Sequence, residues 1–202
     1  MHPMTRCSRR LLWALIVCGA PMVAQAGTTP WCGAGPASGA GTTNLTCPAG
    51  QGIVAIGTTS GPLDSGPVTA IRINCAVQRT NSGGSGYPSQ TVWQGGGSWK
   101  GWPSSGSTQV TRMCSDGRVM RSLHTYGRPH GLEKVTGAGC AACNADMGFC
   151  GQVVQHLKLP VLNPWGPRCD MQCPNDEYLY RLQIRRGAWV DSIRGHCRKP
   201  TP

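Results

Sequence analysis

Apolar and polar residues alternate in several short runs of this chain, most clearly near its C-terminus. From Tyr178 to Arg185, the residues Tyr178, Tyr180, Leu182 and Ile184 fall on one side of an extended segment. Leu179, Arg181, Gln183 and Arg185 fall on the other, so the period of two predicts a strand with its first side packed inward. Ile71 and Ile73 share a face that ends at Cys75, with Arg72 and Asn74 opposite, and Val190 and Ile193 repeat the logic in shorter form. Helical periodicity is almost absent, while 29 glycines and 16 prolines supply turns. The expected class is all-β.

The alternating runs recur inside cysteine-framed units: Cys47 to Cys75, Cys114 to Cys140 and Cys173 to Cys197. Each has a cysteine, a polar turn, a strand, a glycine-containing break, a second short strand and a closing cysteine. This repetition predicts three antiparallel sheet units with pseudo-threefold repetition. The connections between units are long. Ala141 to Val161 holds two cysteines and either a helical turn or an extra strand, and Gly33 to Thr43 reads as loop.

The first 26 residues change the compartment. A basic start (Arg6, Arg9, Arg10), the apolar run Leu11 to Cys18 and the ending Ala24-Gln25-Ala26 predict a secretory signal peptide cleaved after Ala26. Residues 27–202 are then expected to form one domain, secreted or periplasmic, with no transmembrane segment. Two of the 12 cysteines, Cys7 and Cys18, lie in the leader, and the remaining ten suit five disulfides in an oxidising compartment. The repeat pairs Cys47 with Cys75, Cys114 with Cys140 and Cys173 with Cys197, each bridge tying the two strands of one unit. Cys32, Cys143, Cys150 and Cys169 remain for two more bridges of open connectivity. No metal site or cofactor is expected, because Cys140-Ala-Ala-Cys143 has no second Cys-x-x-Cys partner.

Those units, with their tryptophan- and glycine-rich approaches, resemble the vitelline membrane outer layer protein family. The likeness is carried by Cys47-Pro48-Ala49-Gly50 with Ala70-Ile71-Arg72-Ile73-Asn74-Cys75, by Gly97-Ser98-Trp99-Lys100-Gly101-Trp102 leading to Met113-Cys114-Ser115-Asp116-Gly117, and by Cys173-Pro174. It covers roughly Cys47 to Cys197. The resemblance implies a β-prism, three antiparallel sheets around a pseudo-threefold axis, as in jacalin-like lectins, and an extracellular structural or carbohydrate-associated role. No catalytic set carries over. The basic charge, the cysteines around Cys143 and Cys150, and the ending Gly137-Ala138-Gly139-Cys140 depart from the family and leave the ligand class open.

Sugar sites combine an aromatic plate with a carboxylate or amide, because sugar rings offer an apolar face and hydroxyls. Trp189 and Asp191 supply that pair, two residues apart, on one side if the chain is locally extended. The structural alternative has Trp189 capping the core and Asp191 paired with Arg185 or Arg194. Glu133 takes the place of Asp191 in the second unit and Thr69 in the first, while Trp99 and Trp102 belong to the densest aromatic segment. Hydrolysis needs paired carboxylates or an activated nucleophile, and neither stands out: Asp176 and Glu177 are neighbours, and His124, His130, His156 and His196 are scattered.

Charge narrows the partner. The leader holds three of 19 basic residues and no acidic ones, so residues 27–202 carry 16 basic against 8 acidic residues, net +8. Arg181, Arg185, Arg186, Arg194, Arg198 and Lys199 concentrate near the C-terminus and favour an anionic polymer, or simply solubility. No nucleic-acid motif is present. The expected function is non-catalytic recognition of carbohydrate or an extracellular polymer. A protein-binding module (inhibitor, adhesin or toxin-associated factor) is the alternative, and a glycan-active enzyme ranks third.

Overall fold

Each cysteine-framed unit forms a long hairpin. A computed structural model describes residues 27–33, 41–60, 67–77, 100–101, 108–115, 117–128, 131–144, 148–158, 166–187 and 189–201. The predicted leader lies outside them. The strands are β1 (Cys32–Gly33), β2 (Gly41–Thr46), β3 (Gln51–Ser60), β4 (Val68–Val77), β5 (Lys100–Gly101), β6 (Thr108–Met113), β7 (Val119–Arg128), β8 (Gly131–Asn144), β9 (Phe149–Lys158), β10 (Arg168–Gln172), β11 (Tyr178–Arg186) and β12 (Val190–Arg198). They form three antiparallel four-stranded sheets: sheet 1 in the order β5-β4-β3-β6, sheet 2 as β10-β7-β8-β9, and sheet 3 as β1-β12-β11-β2. The described residues contain no helix, and the all-β expectation holds.

The outer strands are exchanged in a ring. β6 and β10 precede the hairpins of sheets 2 and 3, yet pair in sheets 1 and 2; β2 precedes the sheet 1 hairpin and pairs in sheet 3. On the other edges β5 and β9 follow their own hairpins, and the N-terminal β1 takes the corresponding place beside β12.

One bulge, repeated three times, sets the inward phase. Val54, Arg121 and Tyr180 are each an extra residue in the opening strand, directly after Ile53, Met120 and Leu179. Because a bulge shifts the alternation by one, the next core residues come three positions on, at Ile56, Leu123 and Leu182. All six are fully buried, and each contributes about 1.5 to 3 kcal/mol of apolar burial. Here the expected inward row is corrected: Leu179, Leu182 and Ile184 face the core. Tyr180 is the bulge residue, and Tyr178 packs with Val119, Cys143 and Cys150 in a separate cluster. A Cβ on Gly52 would lie 2.9 Å from the Tyr178 ring and also strike Val119, so these three equivalent positions meet where the sheets converge.

The disulfides follow from that bulge. Its carbonyl accepts from the amide of the opening cysteine: the Cys47 N–H donates to the Tyr180 carbonyl (2.8 Å), the Cys114 N–H to that of Val54 (2.8 Å) and the Cys173 N–H to that of Arg121 (2.9 Å). The closing cysteines Cys75, Cys140 and Cys197 stand across from Ile53, Met120 and Leu179. The bridges Cys47–Cys75, Cys114–Cys140 and Cys173–Cys197 therefore join neighbouring sheets, because each opening cysteine ends a strand of the adjacent sheet. They do not tie the two strands of one hairpin as expected. Cys32–Cys169 also links sheets 3 and 2, while Cys143–Cys150 ties β8 to β9. Five such bridges fit an oxidising, extracytoplasmic compartment.

Two expectations about loops change. Gly41–Thr46, partly assigned to loop, is a polar strand held by backbone pairing to β11. The long connection after Cys140 supplies an extra strand, β9. At the chain's other described end, the Gly27 N–H donates to Glu177 Oε2 at 3.0 Å and the Cys197 N–H donates to the Gly27 carbonyl at 2.7 Å.

Candidate functional site

A second bulge, near the far end of every hairpin, places the polar residues of interest. Thr69, Glu133 and Asp191 are each the extra residue of the closing strand, so the three sequence-equivalent positions are structurally equivalent as well. All three hairpins thus put a polar side chain at a local break in the ladder. Thr69 satisfies itself, its hydroxyl lying 2.7 Å from that of Thr59. Glu133 and Asp191 are both buried carboxyl groups.

Asp191 is the least satisfied of the three. It is 3% exposed, and its Oδ2 has no hydrogen-bond partner among the described residues. Burial pushes its pKa above the ordinary carboxylate value, opposed by a hydrogen bond from the Gly187 backbone. No ion pair to Arg185 or Arg194 forms among the described residues; both guanidinium groups lie over Trp31 instead. Trp189, two residues earlier, is 46% exposed and does not cap the core. The bulge separates the pair, burying the carboxyl group and leaving the ring outside, where simple extension would have placed both on one side.

Glycines let neighbouring loops close on this turn. Gly33, at φ 114°, lies so near the Asp191 carbonyl that a Cβ there would strike it. A Cβ on Gly131 would stand 3.2 Å from the Val190 carbonyl oxygen and 3.9 Å from Trp189 Cδ1. Gly127 abuts Gly33, and Gly166 abuts Gly127, with Glu133 Oε2 3.4 Å from the position of a Gly166 Cβ. The two buried carboxyl groups of sheets 2 and 3 therefore belong to one end of the molecule. Trp99, Trp102 and His130 lie outside the described residues.

By sequence, the chain matches no family model and no curated protein. Solved structures do match its fold. A mannose-binding lectin from champedak superposes with TM-score 0.51 at 13% identity, over 87% of this chain and 99% of the lectin. A mannose-specific jacalin-related lectin from Morus nigra gives 0.50 at 13%, covering 89% and 98%. Frutalin from Artocarpus incisa gives 0.50 at 10%, covering 88% and 99%. The fold is a β-prism. Within the prism, three titratable groups form a different surface cluster on sheet 2. His124 Nδ1 and Arg168 Nε each lie 2.8 Å from Asp170 Oδ1. Burial would raise the Asp170 pKa, but the hydrogen bonds from Arg168 and His124 together outweigh it and hold the group below its ordinary value.

Sequence reasoning singled out Trp189, Asp191 and Glu133 through their places in the repeat. It missed Gly187 as the donor to Asp191 and Trp31 as the platform for Arg185 and Arg194. Trp31 is over 150 residues from those arginines, and only the pairing of β1 with β12 brings them together.

Proposed function

We propose that this prism is an exported lectin-like protein that binds a glycan at the β11–β12 turn and leaves it chemically unchanged. The observation that carries the reading is the buried Asp191 carboxyl group, hydrogen-bonded by the Gly187 backbone and with no partner for Oδ2 among the described residues, in the same turn as the half-exposed Trp189. A buried acceptor without a donor is costly, and a sugar hydroxyl supplies the missing donor while the ring takes the sugar's apolar face. The lectin names of the structural neighbours support the same class, two of them for mannose. The cysteine-framed units support a kinship with vitelline membrane outer layer proteins. Cleavage after Ala26 and folding of residues 27–202 as one secreted or periplasmic domain complete the reading.

A glycan array of the oxidised 27–202 chain tests it. Salt-resistant binding to a narrow set, lost at least tenfold in both Trp189→Ala and Asp191→Asn, is the expected result. Asp191→Asn removes a desolvated charge, so its melting temperature should be equal or higher. Absence of selective binding by folded protein sinks the proposal.

A further inference from the structure

We infer that the outer face of sheet 3 binds an anionic polysaccharide, one carrying carboxylates or sulfates, along the strands that lead away from the β11–β12 turn. The inference deepens the glycan reading and rests on it for the choice of polysaccharide over other polyanions.

The face is built by register. On β11, Arg181, Gln183 and Arg185 alternate with the core residues Leu182 and Ile184. They stand opposite His196, Arg194 and Ser192 of β12. On the other side, Thr46, Asn44 and Thr42 of β2 face the same three positions and are exposed. No carboxylate occupies any of these positions, and the one acidic residue of β12, Asp191, is buried at the strand's end.

Each guanidinium is held by a neutral group. The Arg185 and Arg194 guanidinium carbons lie 3.9 Å and 4.7 Å from the centre of the Trp31 ring. Arg194 Nε donates to Gln183 Oε1 at 2.6 Å, and Arg181 lies 3.0 Å from His196 Nδ1. Burial, then Arg181 and Arg194, lower the His196 pKa to about 4, so this residue is neutral and adds no charge. The arginines are thus fixed in place, and no carboxylate among the described residues pairs with them. A planar guanidinium offers paired donors to a carboxylate or sulfate, and stacking on an indole limits the freedom lost on binding.

Two features favour a polysaccharide. The hydroxyl and amide groups of Thr42, Asn44 and Thr46 make a neutral strip beside the charges, suited to sugar hydroxyls. Among the described residues, the exposed large apolar side chains are Met113, Phe149, Val154 and Trp189, none of them on this face, so these supply it no wedge for a lipid bilayer.

The test measures binding of the oxidised 27–202 chain to heparin, polygalacturonate, neutral dextran, a 20-bp DNA duplex and phosphatidylglycerol vesicles over a salt series. Heparin or polygalacturonate is expected to bind in preference to dextran, duplex and vesicles. Arg185→Gln/Arg194→Gln is expected to weaken that binding at least tenfold. Thr42→Glu, which removes no arginine and adds a carboxylate beside Arg185, should also weaken it severalfold. Trp189→Ala reads the turn separately: loss of array binding with polyanion binding retained distinguishes the two sites. Polyanion binding unchanged in both basic-face variants overturns the inference, as does no binding to either acidic polysaccharide or tighter binding to duplex or vesicles.

Discussion

Asp176 occupies a backbone position that its two structural counterparts give to glycine. The turns that open the three hairpins each carry one residue with left-handed φ: Gly50 at 70°, Gly117 at 72° and Asp176 at 69°. A side chain costs about 1 kcal/mol in that region, less for Asp than for most residues. Because glycine also adds freedom to the unfolded chain, the two effects offset, and Asp176→Gly is expected to change stability by no more than about 0.5 kcal/mol, read as a nearly unmoved urea midpoint with unchanged slope. His196 acts on stability as pH falls. Its folded pKa of about 4 lies below the 6.5 of a free imidazole, so between these values the unfolded chain takes up a proton that the native state refuses. Stability should therefore drop as pH is lowered from 6.5 to 4. His196→Gln should flatten that part of the melting-temperature profile. Asp191, whose pKa is raised, contributes with opposite sign, because protonation relieves its burial.

Strands were legible in the sequence where they alternate, and obscure where they are polar edges. Ile71 and Ile73 gave away β4, whereas Gly41–Thr46 has only Leu45 as a buried apolar anchor and depends on β11 for its shape. The bulges escaped notice because an extra residue has no compositional mark. Tyr180 keeps the apolar phase in sequence while the backbone breaks it. The same limit applied to the candidate site: the Trp189–Asp191 spacing was visible, but the bulge that buries one and exposes the other was not. At this scale the bridges also differ. A crosslink closing a longer loop removes more freedom from the unfolded chain, about 3.6 kcal/mol for the separation of 28 in Cys47–Cys75 against about 2.4 kcal/mol for the separation of 7 in Cys143–Cys150. Replacing each pair with serine should lower stability in that order in denaturant titrations, with Cys143/Cys150 the milder loss.

Every sheet of the prism borrows an edge strand from its neighbour, and β1 completes the ring beside the C-terminal β12. The repeat announced three units, yet the exchange means that no hairpin owns a complete sheet. Pattern within a unit carries no information about where its edge strand will go. The closing of the ring also fixes Gly27, whose nitrogen sits 3.0 Å from the buried Glu177 carboxylate. A Cβ at that residue would stand 2.7 Å from Glu177 Oε2 and 2.8 Å from Pro174, so the position is fitted to glycine. With the proposed leader attached this nitrogen is a neutral amide; after cleavage behind Ala26 it is an ammonium, and the hydrogen bond becomes an ion pair. The chain starting at Gly27 is expected to be about 1 kcal/mol more stable than one extended at its N-terminus, or about 2 to 4 °C in melting temperature, with Glu177→Gln closing the gap. Leader removal would then act as a thermodynamic latch. On that proposal the precursor would stay easier to unfold for transport, and the last increment of stability would arrive only once the chain had been delivered.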